Sequence, residues 1–553
     1  MKSKKNLILV TMYLLLLLAV TGCSGQKIKQ TKNENKTQEV QIEQTEDVQE
    51  MVVAVNVDSS TEELPFSSVL LNRNQFWGGL VFRGLLMANE NINNVEKDLC
   101  EEYTISPDGK TYVFVLRDDI YWHDGKKITV DDVVFSIELC LKVQEVNGYL
   151  KKGVLEIVGA NEFETGEMDS LAGVTTKENN ITIKITTRDN RFLGILAQLP
   201  ILPKHCLKDV PIEEVGSCDF WKMPVGSGPY KVVGNRENKE AVLIVNQQYT
   251  GKKPKIEQIR YKVLENPETD YFDFTITSNP TVIKKYQETK NYKTRKTDNS
   301  YYRYLYFNLD GRAGENEGLL KSQKVRQALA MAVDKEKLVE EIYAGSATII
   351  DAGIPQNNGW YAEIMNPDLS YNPENARKLL MQENFDFSKT LVLTRYNQDE
   401  ISVKLLEFIA QCWHDIGVKT EITEIGTNAT ERLWVDTDWY DVGLKNLAAA
   451  DFSEWYYEYS SENQMWSKVL NNREVFNVII KALDDTKWAY ERTQLYQEIQ
   501  QMEKEQMFKI PLIIVPQYVI YNSENLYIPD MEFPNLHYYY DFSVEQWELL
   551  KNS

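Results

Sequence analysis

Hydrophobic and polar positions fall along this chain in blocks whose periods name the elements. A basic head, Lys2, Lys4 and Lys5, precedes a largely apolar run from Leu7 to Val20. That run is shorter than the ~20 residues a bilayer-spanning helix needs, and basic-then-apolar order is that of an export signal. From Ser24 to Glu50 the pattern disappears, with no aromatic and no proline. Such a segment cannot bury enough apolar surface to offset its ordering entropy, so it reads as a disordered tether. The globular body starts at Met51, where MVVAVNV has the continuous apolar character of a buried strand.

Further along, Pro107-Asp108-Gly109 supplies turn chemistry, and Thr111 to Leu116 then alternates as a strand. Asp124-Gly125 is a second turn, and Thr129 with Asp132 forms a capping pattern for a helix running through Val133, Val134 and Ile137. Apolar residues at 325, 328, 329 and 332 have helical core spacing, and Asp334 caps a second helix that stops at Gly345. Asn372 caps another helix with Pro373 at its first position. Leu405 to Ile416 reads as a helix with an apolar face, which makes Trp413-His414 part of a packing surface rather than a ligand site.

Charge and cysteine content narrow the class. The chain carries 82 acidic against 61 basic residues, a net charge of −21, which argues against nucleic acid as a partner, since phosphates demand a basic surface. Besides Cys23 there are five cysteines, Cys100, Cys140, Cys206, Cys218 and Cys412. An odd number cannot all pair; Cys206 with Cys218 is one conceivable pair that sequence does not assign. The four histidines, His123, His205, His414 and His537, form no H-E-x-x-H pair, and there is no G-x-S-x-G elbow, phosphate loop or C-x-x-C. These absences favour a binding protein over an enzyme and imply no metal and no cofactor. His123-Asp124 invites a reading as metal ligand or acid/base pair; a turn that starts a helix accounts for it better.

Two sets of motifs resemble known patterns. Val20-Thr21-Gly22-Cys23 resembles the lipobox of bacterial lipoproteins, which implies cleavage before Cys23 and lipid on its sulfur. Ser106, Asp108-Gly109, Thr111-Tyr112, Phe114, Leu116-Arg117, Trp122-His123-Asp124-Gly125, Thr129, Asp132-Val133 and Phe135-Ser136 resemble a signature of the family-5 extracellular solute-binding proteins, the oligopeptide, dipeptide and nickel receptors of ATP-driven importers. Pro224 to Tyr230, Tyr306-Phe307-Asn308 with Lys324 to Asp334, and Tyr371 to Leu380 come in that family's order. The glycines and proline of Pro224 to Tyr230 are explained by a tight loop alone, so the loop is given no ligand role.

The resemblance implies an α/β, periplasmic-binding-protein-like flytrap with two main lobes and an inserted third. On that basis 1–22 is the signal peptide and 23–50 the lipid-anchored tether. Lobe I is 51–70, 200–270 and 519–553; lobe II is 71–199; lobe III is 271–518. Ligand would be captured between lobes I and III and delivered to a membrane permease driven by ATPase subunits. The body would be a monomer tethered by lipid on Cys23 to the extracytoplasmic face of a single-membrane bacterium. A receptor for varied peptides must recognise what does not vary, the backbone and the charged termini. In peptide-binding members of the family an Asp in lobe III meets the ligand's amino group. Ala448-Ala449-Ala450-Asp451-Phe452-Ser453-Glu454-Trp455 resembles that segment, which places Asp451 on the amine-binding Asp and Glu454 on a second acid. Leu447, Ala448, Ala449 and Ala450 would then present backbone to the peptide. Ala448 stands where the pattern has Trp, and Trp455 replaces a Pro, offering another aromatic surface beside the ligand. Ser59, just after the first strand, would border the cleft from lobe I. The same fold binding a nickel chelate, haem or sugar stays open at this point, as does an exported hydrolase.

Overall fold

The computed structural model describes residues 49–57, 64, 69–70, 75–88, 95–143, 146–189, 191–267, 269–297, 301–312, 314–354, 360–363, 367–448, 453–461, 463–466, 468–470, 474–486, 489–531, 533 and 542–550. All belong to one body, Thr45–Ser553. The proposed leader and the tether up to residue 48, including Cys23, lie outside the described residues; Glu50, assigned to the tether, instead opens the first strand, where its carboxylate accepts from Gln258 Nε2 at 2.6 Å and Arg260 Nε at 2.8 Å.

The apolar run after Met51 becomes strand Glu50–Ala54 in the interior of a seven-stranded sheet. Met51 and Val53, on one face, are buried; on the other Ala54 is buried and Val52 half-buried. Its neighbours are Gln258–Lys262 and Phe274–Thr277, both parallel to it. Glu240–Val245 and Tyr230–Arg236 extend one side, and Gln517–Asn522 and Tyr292–Thr297 the other. The buried Asp273 carboxylate fixes this assembly, accepting from the Val52 backbone at 2.7 Å and from Asn525 Nδ2 at 2.7 Å.

A separate antiparallel sheet holds Cys100–Ile105, Thr111–Leu116, Asn180–Lys184 and Val174–Lys177 in that spatial order. Tyr112, Phe114 and Leu116 are buried, as the alternation requires. The turn before them has Gly109 at φ +72°, a conformation cheap only for glycine. Helix Val130–Lys142 comes next, and the Asp132 carboxylate accepts from the Thr129 backbone at 3.0 Å. Its other oxygen accepts from the Lys204 backbone at 3.0 Å, tying the helix start to a segment 72 residues away.

The third sheet runs Thr348–Ile349, Lys509–Ile514, Tyr301–Phe307, Val442–Ala448, Thr390–Arg395, Lys419–Ile422. The expected lobe III span of 271–518 begins inside the seven-stranded sheet, because Phe274–Thr277 and Tyr292–Thr297 are two of its strands. The chain enters the six-stranded sheet at Tyr301. Packed on that sheet are helices Gln323–Met331, Lys335–Tyr343, Pro373–Gln382 and Glu400–Asp415. Asp334 and Asn372 cap as the sequence implies, accepting from Lys337 N at 3.0 Å and Asn375 N at 2.9 Å. In helix Glu400–Asp415 the Trp413 indole is buried and donates to the Leu329 carbonyl at 3.0 Å, while His414 faces outward. Cys206 and Cys218 are both free thiols, so the conceivable disulfide is not formed.

Candidate ligand-binding site

Strand Val442–Ala448 lies inside the six-stranded sheet. Tyr301–Phe307 pairs with it along its whole length, antiparallel, from Phe307 opposite Val442 to Tyr301 opposite Ala448. On its other side Thr390–Arg395 runs parallel, and that register ends at Arg395 opposite Leu444. A last bond joins Tyr396 N to the Leu444 carbonyl at 3.0 Å. Among the described residues no backbone ladder continues on this side past Leu444, which leaves Lys445 to Ala448 with one edge open. Thr390–Arg395 and Lys419–Ile422 are parallel too, so three strands present their carboxyl ends together, the position where open α/β sheets take ligands.

The two faces of the strand differ. On one, Asn446 and Arg303 are opposite each other, as are Ala448 and Tyr301. Asn446 Nδ2 donates to the Tyr301 hydroxyl at 2.9 Å and to Asn397 Oδ1 at 3.1 Å. The Arg303 guanidinium donates to Ser402 Oγ at 3.2 Å and lies 3.5 Å from Asp399. Arg395 pairs with Glu424 at 3.4 Å, and Tyr396 is exposed. The carboxyl ends thus carry a polar rim of amides, hydroxyls and paired guanidinium groups, in which Asn446, Arg303 and Arg395 are buried and Tyr396 is exposed.

On the opposite face Gly443, Lys445 and Leu447 stand across from Tyr306, Tyr304 and Tyr302. A Cβ on Gly443 would fall 2.1 Å from the Tyr306 ring, so glycine is required for that ring to lie flat on the strand. Here sits a buried ionic network. Glu458 accepts from Lys445 Nζ at 2.5 Å, Lys509 Nζ at 2.5 Å and the Tyr304 hydroxyl at 2.6 Å. Burial alone would raise the Glu458 carboxyl, but the two ammonium groups outweigh it and hold the group below its ordinary range. Glu503, beneath it, accepts from the Tyr459 hydroxyl and the Gly353 backbone, both at 2.8 Å. Burial lifts that carboxyl above its ordinary range.

This network anchors the segment on the far side of the strand's exit. Helix Ser453–Tyr457 leads directly into Glu458, and Lys509 Nζ also donates to the Trp455 carbonyl at 3.4 Å. The chain therefore leaves the sheet at Ala448 and is pinned again by Trp455 and Glu458. Asp451, Ala449 and Ala450 fall in the connection between these anchors, outside the described residues, as does the side chain of Ala448. Leu447 is half-buried and packs on the core. Trp455, expected to offer an aromatic surface to ligand, instead has its ring in the core, 1% exposed and 4.7 Å from the Tyr302 ring. Ser59 is also outside the described residues. Its preceding anchor is Asn56, whose side chain exchanges two bonds with the Leu264 backbone at 2.6 and 2.9 Å.

Sequence reasoning overlooked the network. Its signal was present: Lys445, Glu458 and Lys509 each interrupt an apolar or aromatic run in VGLKNLA, WYYEY and FKIPLII.

His123, weighed as a ligand or acid/base residue, is consumed by structure. Gly226 N donates to Nδ1 at 3.1 Å, which makes Nε2 the protonated nitrogen facing the Gly228 carbonyl at 3.1 Å. Burial lowers its pKa to about 4, so the ring is neutral. Around it the Pro224 to Tyr230 loop presses against the backbone of Leu80 and Val81.

The chain matches the profile of the bacterial extracellular solute-binding proteins, family 5, over residues 94–472. It belongs to this family. Relatives from several Brucella species, named as ABC transporter peptide-binding proteins, are 25% identical over 383 residues. The match covers 66% of this chain and 65% of the relatives' length. The oligopeptide-binding protein AppA of Bacillus subtilis is 26% identical over 454 residues, 76% of this chain and 79% of that protein. Its structure with a bound nonapeptide superposes with a TM-score of 0.67 at 20% identity, covering 91% of this chain and 99% of that one. NikA of Brucella suis, solved with Fe(III)-EDTA, superposes at 0.74 with 18% identity, covering 91% and 100%. The fold is thus the mixed α/β periplasmic-binding-protein fold.

Proposed function

We propose that this member of the family is a lipid-anchored receptor of an ATP-driven importer. It captures oligopeptides at the open edge of strand Val442–Ala448 and hands them to a membrane permease, without covalent chemistry. The observation that carries the reading is that edge, on which no backbone ladder continues past Leu444 among the described residues, beside a polar rim. A peptide added there as a further strand is held through its backbone whatever its side chains. Asp451, in the next connection, supplies the counter-charge for the peptide's amino group. Leu447 to Ala450 and, from the first lobe, Ser59 border the ligand. The lipobox-like Val20 to Cys23 and the polar tether support anchorage on the extracytoplasmic face. Peptide is favoured over nickel because no described histidine lies on the rim: His123 is internally bonded, His205 pairs with Asp124 and His414 faces outward.

Isothermal titration with matched free and N-acetylated peptides tests the reading. Acetylation, or Asp451→Ala, should each cost more than ~2 kcal/mol, about thirtyfold in affinity, because a buried charge partner is lost. Both together should cost little more than either, since they remove one interaction. Equal binding of free and acetylated peptides by the wild type would refute the amine clamp.

A further inference from the structure

A second cluster of ligating groups lies away from the open edge. Asp124 sits in the Trp122 to Lys126 turn, and His205 and Cys206 are adjacent in the short helix Lys204–Leu207. His205 Nε2 is 2.8 Å from Asp124 Oδ2. One donor atom from each of Asp124, His205 and Cys206 lies within 4.8 Å of the others. The His–Asp pair alone is an ordinary hydrogen-bonded contact. The free Cys206 thiol within reach of both makes a three-donor set. The Trp122 ring, 6.3 Å from the imidazole, walls one side. Asp124 and His205 keep side-chain exposures of 29% and 24%, so an ion and a water can enter from solvent.

We propose that Asp124, His205 and Cys206 bind a divalent transition-metal ion of borderline softness, zinc above all. Imidazole nitrogen, thiolate sulfur and carboxylate oxygen are the three donor types zinc takes, at ~2.0–2.3 Å, with a fourth position left to water. Such bond lengths put donors about 3.5 Å apart, so the present spacing closes on an ion through side-chain rotation. Lys126 Nζ, 3.1 Å from Asp124 Oδ2 on a side chain 60% exposed, swings away to water as the ion enters. Magnesium and calcium, which take oxygen ligands, do not suit a site with one carboxylate. The ion fastens the turn that precedes helix Val130–Lys142 to a segment 81 residues later. No linear metal motif announces it, because its ligands come from two distant stretches.

The test uses the full mature chain, stripped of metal and titrated with Co²⁺ and then Zn²⁺. One Co²⁺ per chain should bind with a near-ultraviolet thiolate-to-cobalt absorption band, and Zn²⁺ should displace it. Cys206→Ser should abolish the band, and His205→Ala and Asp124→Asn should each weaken binding at least tenfold. Far-ultraviolet circular dichroism of the metal-free variants checks that they fold. The absence of a thiolate band in the wild type, or a band that survives in Cys206→Ser, would overturn the proposal.

Discussion

Replacing His123 by Gln separates one proton's contribution to stability from all others. In the folded chain Nδ1 accepts from Gly226 N and Nε2 faces the Gly228 carbonyl, both at 3.1 Å. A proton on Nδ1 would break the first bond and place a charge in an enclosed site. Burial, the largest influence, lowers the pKa from 6.5 to about 4; the weaker effect of Lys231 acts the same way, and the Gly228 bond and Asp124 oppose it. Between these two values the unfolded chain binds a proton that the folded chain refuses. The contribution is therefore fully present above pH 6.5 and is lost as pH falls through 6.5 toward 4. At 1.36 kcal/mol per pH unit, the loss is about 3 kcal/mol, an upper figure because the residue is only partly shielded from water. Gln keeps an amide at the ring's far end but does not titrate. Urea unfolding of both proteins at intervals from pH 8 to pH 4 gives the difference between them. That difference should shrink by about 3 kcal/mol across the range, because the carboxylates common to both proteins cancel. Parallel stability curves would refute the reasoning.

Three further perturbations bear on the fold and its anchorage. Glu458→Gln leaves Lys445 and Lys509 buried without their shared counter-charge, and should cost about 3–5 kcal/mol of stability by denaturant unfolding. It should also weaken peptide binding, because helix Ser453–Tyr457 loses its anchor; unchanged stability and affinity would contradict this. Gly226→Ala puts a Cβ 1.9 Å from the Val81 carbonyl, and the forced shift should cost on the order of 3 kcal/mol, read from the unfolding midpoint. Cys23→Ser should move the protein from the membrane pellet to the soluble fraction, and continued sedimentation with membranes would contradict lipid anchorage.

Much of the fold was legible because its signals are local. The Met51 strand, the turn at Gly109, the start of helix Val130–Lys142 and the caps at Asp334 and Asn372 depend on neighbours within a few residues. The exit from the seven-stranded sheet was not legible. Strand Phe274–Thr277 lies between Glu50–Ala54 and Gln517–Asn522, and Tyr292–Thr297 pairs with Gln517–Asn522, every one of these partners more than 200 residues away. The candidate site divides along the same line. The connection holding Asp451 is singled out by resemblance alone, and the strand leading into it, broken by Lys445 and Asn446, has no plain apolar period. The support beneath it, Lys445, Glu458, Lys509 and Tyr304, is assembled from three strands and a helix end, and no spacing in one stretch reveals it. Trp455 shows the converse: a large aromatic beside a candidate ligand segment invites a binding role, yet its ring fills the space over Tyr302.

The central claim, peptide capture, is tested most directly by mass spectrometry of what the protein carries. Protein purified gently from its native host is denatured, and the released small molecules are identified. Peptides of mixed sequence with free amino termini, recovered near one per chain and reduced in Asp451→Ala, are the result the account predicts. Recovery of a metal chelate, haem or sugar at that stoichiometry, with no peptide, would contradict it.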